Sequence, residues 1–328
     1  MKISHRLYSL LALLITGSAS LMAQTTDPFP DVPYRDYYGN MLLTAKAVMN
    51  GEVLTGNVVI AIYCDDQIRG KGSPSDESRP GVTYLTVYGD YSPDHFHCKV
   101  AVDGKIIEVD PGDLVYEYNG VVGSFSNPYV IDVPAPVTTT PAAEGWATTC
   151  LPFNAEVPAG VSVYAATGIA DGELLVTQLQ SAILPANTPV LVNADAPVEW
   201  LSRLAIGDAP AANIFAGTTE ATAVEANSVL TLGHNLETGE LGFWRYTGTT
   251  VAANRAYIAD IPTNSPGLSI AFDDATGISA VYSQPAGREC TLPSALSDEW
   301  YSLSGRRLGG KPTVRGIYVN HGKTVVIK

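Results

Sequence analysis

His95 and His97 are the first residues whose types and spacing could do chemistry. Side chains two apart on a strand project to one side. With Asp90 and Asp94 close by, the pair could offer nitrogen and oxygen ligands to a metal. Two solvent-facing histidines on an amphipathic strand explain the spacing more simply, and that is the expectation. Asp65-Asp66, and Asp110 with Asp113, could lend loop oxygens to calcium. Caps of Asx turns explain such acids equally well. No metal ligand is therefore assigned. The G-x-S-x-G, H-E-x-x-H and C-x-x-C patterns are absent, as is a glycine-rich strand-to-helix loop. Among 33 acidic residues no general acid and base pair stands out. The chain is expected to be non-catalytic and to need no cofactor.

Aromatic residues give the next candidates. Trp146, Trp200 and Trp244, with Tyr34, Tyr37 and Tyr38, could form a sugar-stacking face. Trp146 and Trp244 stand in apolar runs (WATTCLPF and LGFWRY) and are expected in the core. Tyr37 and Tyr38, in a polar N-terminal segment, are the candidate ligand contacts. Four cysteines remain: Cys64, Cys98, Cys150 and Cys290. Cys64 and Cys98 both point inward in one domain, so they form either a disulfide or two buried thiols. Cys150 and Cys290 lie in different segments and are not paired.

These residues sit on short runs of Val, Thr, Tyr and Ile, punctuated by 30 Gly and 22 Pro. Helix-period stripes are scarce, so the fold class is all-β, with two β-sandwich-like domains followed by a small C-terminal β module. The first domain covers 24–134. Asn50-Gly51 and Asp103-Gly104 mark hairpin turns in it. The run GNVVIAIYC places Val58, Ile60, Ile62 and Cys64 on one face. Residues 135–145 (APVTTTPAAEG) read as an extended, solvated linker. The second domain covers 146–276 and the C-terminal module 277–328.

The start of the chain has the order of a secretory signal. Lys2, His5 and Arg6 precede the apolar run Leu7 to Ile15, and small residues lead to Ala23. Cleavage is expected after Ala23, leaving the chain exported. Charge is distributed unevenly. The leader holds two bases and residues 300–328 hold six, neither with any acid. The body between therefore carries 11 basic and 33 acidic residues, a net of −22. A body so acidic excludes nucleic acid as a partner, because phosphate contacts need basic surface.

The tail carries the clearest resemblance. Tyr301-Ser302-Leu303-Ser304-Gly305-Arg306-Arg307, Gly316-Ile317-Tyr318-Val319 and the stretch from Lys323 to Lys328 resemble the C-terminal sorting domains of proteins exported by the type IX secretion system of Bacteroidota. Asp274-Ala275-Thr276-Gly277-Ile278 resembles the entry to that module. The resemblance implies a small β-sandwich read by the outer-membrane translocon through Gly305, Arg306, Arg307, Gly316, Tyr318, Lys323 and Lys328. The two body domains resemble modules of surface and secreted proteins from the same bacteria. Together these readings lead to the expectation of a non-catalytic, exported cell-surface or secreted protein. Its role would be structural or adhesive, with a host or envelope glycan or protein as partner; the alternative is carbohydrate binding.

Overall fold

The computed structural model describes residues 27–90, 95–142, 144–262 and 265–272, and four strands at 300–302, 307–308, 316–320 and 323–327. Residues 1–23, read from the sequence as an export leader, lie outside the described residues. Among them the only helical element is a single 3-10 turn at Tyr34–Asp36, and all other regular structure is strand, so the chain is all-β. It divides into two units, with the boundary between Ala135 and Pro136.

The first unit has nine strands. They are β1 (Gly39–Met49), β2 (Glu52–Val53), β3 (Val58–Cys64), β4 (Gln67–Gly72), β5 (Val82–Gly89), β6 (His97–Val102), β7 (Lys105–Val109), β8 (Val121–Val122) and β9 (Tyr129–Asp132). One sheet pairs β1 antiparallel with β2 and β5 and parallel with β8 and β9. The other has the order β4-β3-β6-β7. The hairpin signals fall where expected. Asn50 and Gly51 have φ of 53° and 81°, and Asp103 and Gly104 have 50° and 82°. Two successive positive φ values give the turn whose twist matches the flanking strands. The sheets approach closely at β4, where a Cβ on Gly70 would come 2.5 Å from the Thr86 carbonyl oxygen.

Every residue of β3 is buried. Alternation alone would leave one face wet, but the segment before β1 covers it. Phe29 packs edge-to-face on Tyr63 with ring centroids 6.4 Å apart, in a cluster with Val59, Ala61, Ile68 and Ala101. The Lys71 ammonium holds that segment down, 2.7 Å from the Asp27 carboxylate and donating to the Phe29 carbonyl at 3.0 Å.

The second unit is built on a seven-stranded sheet, ordered β11-β16-β13-β14-β24-β21-β20. In chain order its strands are β10 (Val137–Thr139), β11 (Trp146–Thr149), β12 (Ala155–Glu156), β13 (Ser162–Ala170), β14 (Glu173–Gln178), β15 (Ile183–Leu184), β16 (Val190–Asn193) and β17 (Val198–Trp200). There follow β18 (Ala216–Thr218), β19 (Thr222–Ala223), β20 (Leu230–His234), β21 (Leu241–Arg245), β22 (Thr250–Val251), β23 (Arg255–Tyr257) and β24 (Gly267–Phe272). Short ladders β10-β17, β12-β15, β18-β23 and β19-β22 complete it. One core cluster gathers around Trp200 with Leu151, Leu184, Val190 and Val192, and a second around Phe243 with Leu174, Leu191, Phe215 and Leu268.

The segment read as a linker is corrected here. Val137–Thr139 is strand β10, paired antiparallel with β17, and Thr139 is buried. The Trp200 indole N–H donates to Thr139 Oγ1 at 2.9 Å. That bond comes from sixty-one residues away, so local composition does not reveal it. The C-terminal strands β25 (Trp300–Ser302), β26 (Arg307–Leu308), β27 (Gly316–Asn320) and β28 (Lys323–Ile327) form a four-stranded antiparallel sheet ordered β26-β25-β27-β28.

Candidate functional site

The candidate contacts Tyr37 and Tyr38 follow the 3-10 turn in extended backbone, with Tyr37 at φ −117° and ψ 146°. Neighbouring residues of an extended chain project to opposite sides. Tyr38 is 80% exposed, and its main-chain N–H donates to Asp90 Oδ1 at 3.2 Å. Tyr37 turns inward: its hydroxyl donates to Gln67 Oε1 at 3.3 Å, and the Arg69 guanidinium carbon stands 4.4 Å from its ring centre. Burial raises the Tyr37 hydroxyl's pKa, partly offset by the Arg69 charge. The structure therefore separates the pair, with Tyr38 on the surface and Tyr37 packed.

A larger aromatic surface lies on the outer face of the β1-β5-β8-β9 sheet. In β1, Met41, Leu43 and Ala45 point into the sandwich, which sends Asn40, Leu42 and Thr44 outward. The register sets Leu42 opposite Thr86 and Val121, Thr44 opposite Tyr84, Asn40 opposite Tyr88, and Lys46 opposite Val130. Leu42 is 51% exposed, Tyr84 43%, Val121 69%, Phe125 49% and Val130 44%. Tyr84 stacks with Phe125 at 6.4 Å and 27°. The Arg79 guanidinium lies over Phe125, and its Nη1 donates to the Phe125 carbonyl at 2.9 Å. At the other end, Tyr34 leans on Tyr88 at 6.0 Å. Tyr84 and Tyr88 are four residues apart on one strand, so the two aromatic pairs stand about 13 Å apart.

The tryptophans divide differently from the expectation. Trp200 is fully buried. Trp146 is half-buried among Tyr164 and Phe272, with centroids 5.6 and 5.3 Å away. Trp244, expected in the core, lies half-exposed on the sheet surface with its indole N–H donating to the Glu240 carbonyl at 3.2 Å. Its ring needs the bare backbone of a neighbouring strand, since a Cβ on Gly267 would meet Trp244 Cε3 at 2.1 Å.

The remaining candidates are placed as follows. His95 is exposed, and His97 is half-buried and stacked on Tyr63 at 5.5 Å. Burial, then the Lys99 charge, lowers the His97 pKa. Asp94 lies outside the described residues. Asp65 opens the two-residue turn from β3 to β4 with φ 50°, and Asp110 Oδ1 accepts from Gly112 N–H at 2.9 Å in an Asx turn. No group of three or more His, Cys, Asp or Glu residues could hold a metal ion among the described residues.

Cys64 and Cys98 stand as buried thiols, not as a disulfide. The register pairs Cys98 with Ile62, which leaves Cys64 one step away on the diagonal. Diagonal neighbours are ~7–8 Å apart, against roughly 4 Å between the Cβ atoms of a disulfide. Burial, with the Asp110 charge, pushes the Cys98 thiol up to about 12. Cys290 lies outside the described residues.

In the tail, Arg307 is on β26, Gly316 and Tyr318 are on β27, and Lys323 is on β28. Gly305, Arg306 and Lys328 lie outside the described residues. Comparison found no protein-family model, no curated protein and no solved structure that significantly matches the chain.

Proposed function

We propose that this chain is a non-catalytic, exported protein of the cell surface whose first unit is an adhesive module. Its contact surface is the outer face of the β1-β5-β8-β9 sheet, which meets a host or envelope glycan or protein. The observation that carries this reading is the exposed set Leu42, Tyr84, Val121, Phe125 and Val130 on one sheet face. An exposed contiguous apolar patch costs solubility, so proteins keep one where something binds. The leader and the tail supply the route: export across the inner membrane, then passage through the type IX translocon. What supports the route is the basic, acid-free tail and its resemblance to the sorting module.

One observation favours a carbohydrate as the ligand. Two aromatic pairs along one strand, Tyr84–Phe125 and Tyr34–Tyr88, are spaced for sugars of an extended glycan that are not immediate neighbours. Aromatic rings meet the apolar face of a sugar while their edges and hydroxyls stay wet. The test is a glycan array probed with the mature chain, alongside a Tyr84→Ser/Phe125→Ser double variant. Selective binding that the variant loses supports the reading, and binding that the variant retains rejects this face as the site.

A further inference from the structure

The second unit has an open seam, and it is distinct from the aromatic face. Strands β11 and β20 are the two edges of the seven-stranded sheet, yet both border one cavity of about 390 Å³. The sheet therefore curls until its two edges border one space without pairing, and β23 packs beside both of them. Closing a barrel removes its edges, and an unclosed one keeps two rows of main-chain groups to satisfy.

Those rows can be assigned residue by residue. On β11, the Trp146 carbonyl accepts from Ala142 N–H at 2.9 Å, and the Thr148 carbonyl accepts from Arg255 Nη1 at 3.4 Å. Trp146 and Thr148 thus turn their main-chain groups away from β16 and toward the cavity. On β20, Leu230 exchanges both main-chain hydrogen bonds with Ile258, at 2.9 Å each, on the side away from β21. Alternation places the main-chain groups of Leu232 and His234 on that same edge. Ile258 fills the first rung only. The next two rungs of β20 face the cavity with no main-chain partner among the described residues.

The walls add chemistry to the open edge. Trp146 and Tyr246 provide ring surface, and the exposed Arg255 guanidinium and His234 provide donors. Glu144 stands 3.4 Å from His234 at one side.

The geometry points to strand addition: the seam takes an extended peptide of a partner protein, about three residues deep, carrying an acidic side chain. Its main chain completes the ladder on Leu232 and His234, as peptides do when they add to an exposed sheet edge. Its carboxylate meets Arg255, whose planar fork suits two-point recognition of a carboxylate. An added strand would bring the curled sheet from seven strands to eight.

The experiment pans a displayed library of random heptapeptides against the mature full-length chain. Recovered sequences are then synthesised and titrated by calorimetry. The expected result is enrichment of peptides with an Asp or Glu. Arg255→Gln should then weaken their binding about tenfold. Each peptide is also made with one main-chain amide methylated in turn. Strand pairing uses every second amide, so methylation should cost tenfold or more at alternate positions and little at those between. Leu232→Pro removes one edge donor at a position where an edge strand tolerates proline, and should abolish binding. If that variant does not fold, the methylation series still decides. Recovery of no peptide, or methylation effects without a two-residue period, would overturn the proposal. So would binding of glucuronate at the seam without binding of peptides.

Discussion

Replacing Thr139 by Val tests whether the short strand β10 is anchored in the second unit. Valine keeps the shape of threonine, so the packing of this buried side chain is retained. What is lost is the acceptor for the Trp200 indole N–H, now 2.9 Å away in a site where Trp200 has no solvent exposure. Water cannot replace the acceptor there. An unsatisfied buried donor costs roughly 1–3 kcal/mol. For a unit of this size each kcal/mol lowers the Tm by about 2–4 °C. The expected loss is therefore on the order of 2–12 °C in the transition assigned to the second unit, with the first unit's transition unmoved. Differential scanning calorimetry of the mature chain reads both. Limited proteolysis supplies the companion readout, because release of β10 from β17 should expose 137–141 to cleavage in the variant and not in the parent. A variant as stable as the parent, with 137–141 cut equally in both, would show a flexible connector and refute the reasoning.

Three further outcomes follow from the same structure. Gly267→Ala should destabilise the second unit by about 1–3 kcal/mol, because its methyl would meet both Trp244 and the Phe243 carbonyl, 2.7 Å away; displacement of Trp244 would appear as a shift in its fluorescence. For Cys98, the folded thiol's pKa is raised to about 12 by burial, so the fold favours the protonated form. That contribution is complete below the unfolded thiol's pKa of roughly 8.5 and is lost as pH rises toward the folded value. Urea midpoints should fall above pH ~9, and Cys98→Ala should flatten that part of the profile; an unchanged slope would contradict it. Deleting residues 300–328 should leave the body folded but held in the periplasm, and cell fractionation that still finds it at the surface would remove the tail from the sorting route.

Much of the fold was legible because its signals are local. Asn50-Gly51 and Asp103-Gly104 announce their hairpins through residues that tolerate positive φ. Alternation through FHCKVAV sets Phe96, Cys98, Val100 and Val102 inward; the first three are buried and Val102, at the end of β6, is half-buried. What escaped depended on distant partners. Val137–Thr139 resembles a solvated connector until β17 pairs with it. Tyr37 stands among polar neighbours, yet Gln67 and Arg69, some thirty residues on, pack against it and leave it half-buried. The aromatic face was hidden by a two-sided pattern: in VTYLTVYG both alternating sets hold large apolar residues. Only the pairing with β1 decides that Leu85 and Val87 go in while Tyr84 and Tyr88 go out. Trp244 misled for a related reason. An apolar run predicted burial, whereas the ring lies over Gly267 on the sheet surface.

In the proposed function, the outer face of the first unit's sheet is the binding surface. The most direct measurement is adhesion of the mature chain to immobilised envelope and host glycans, compared with the Tyr84→Ser/Phe125→Ser variant. These side chains are 43% and 49% exposed, so removing them leaves the sandwich core intact. The parent should bind, and the variant should lose at least tenfold in binding with unchanged circular dichroism. Equal binding by a variant that folds like the parent would contradict it.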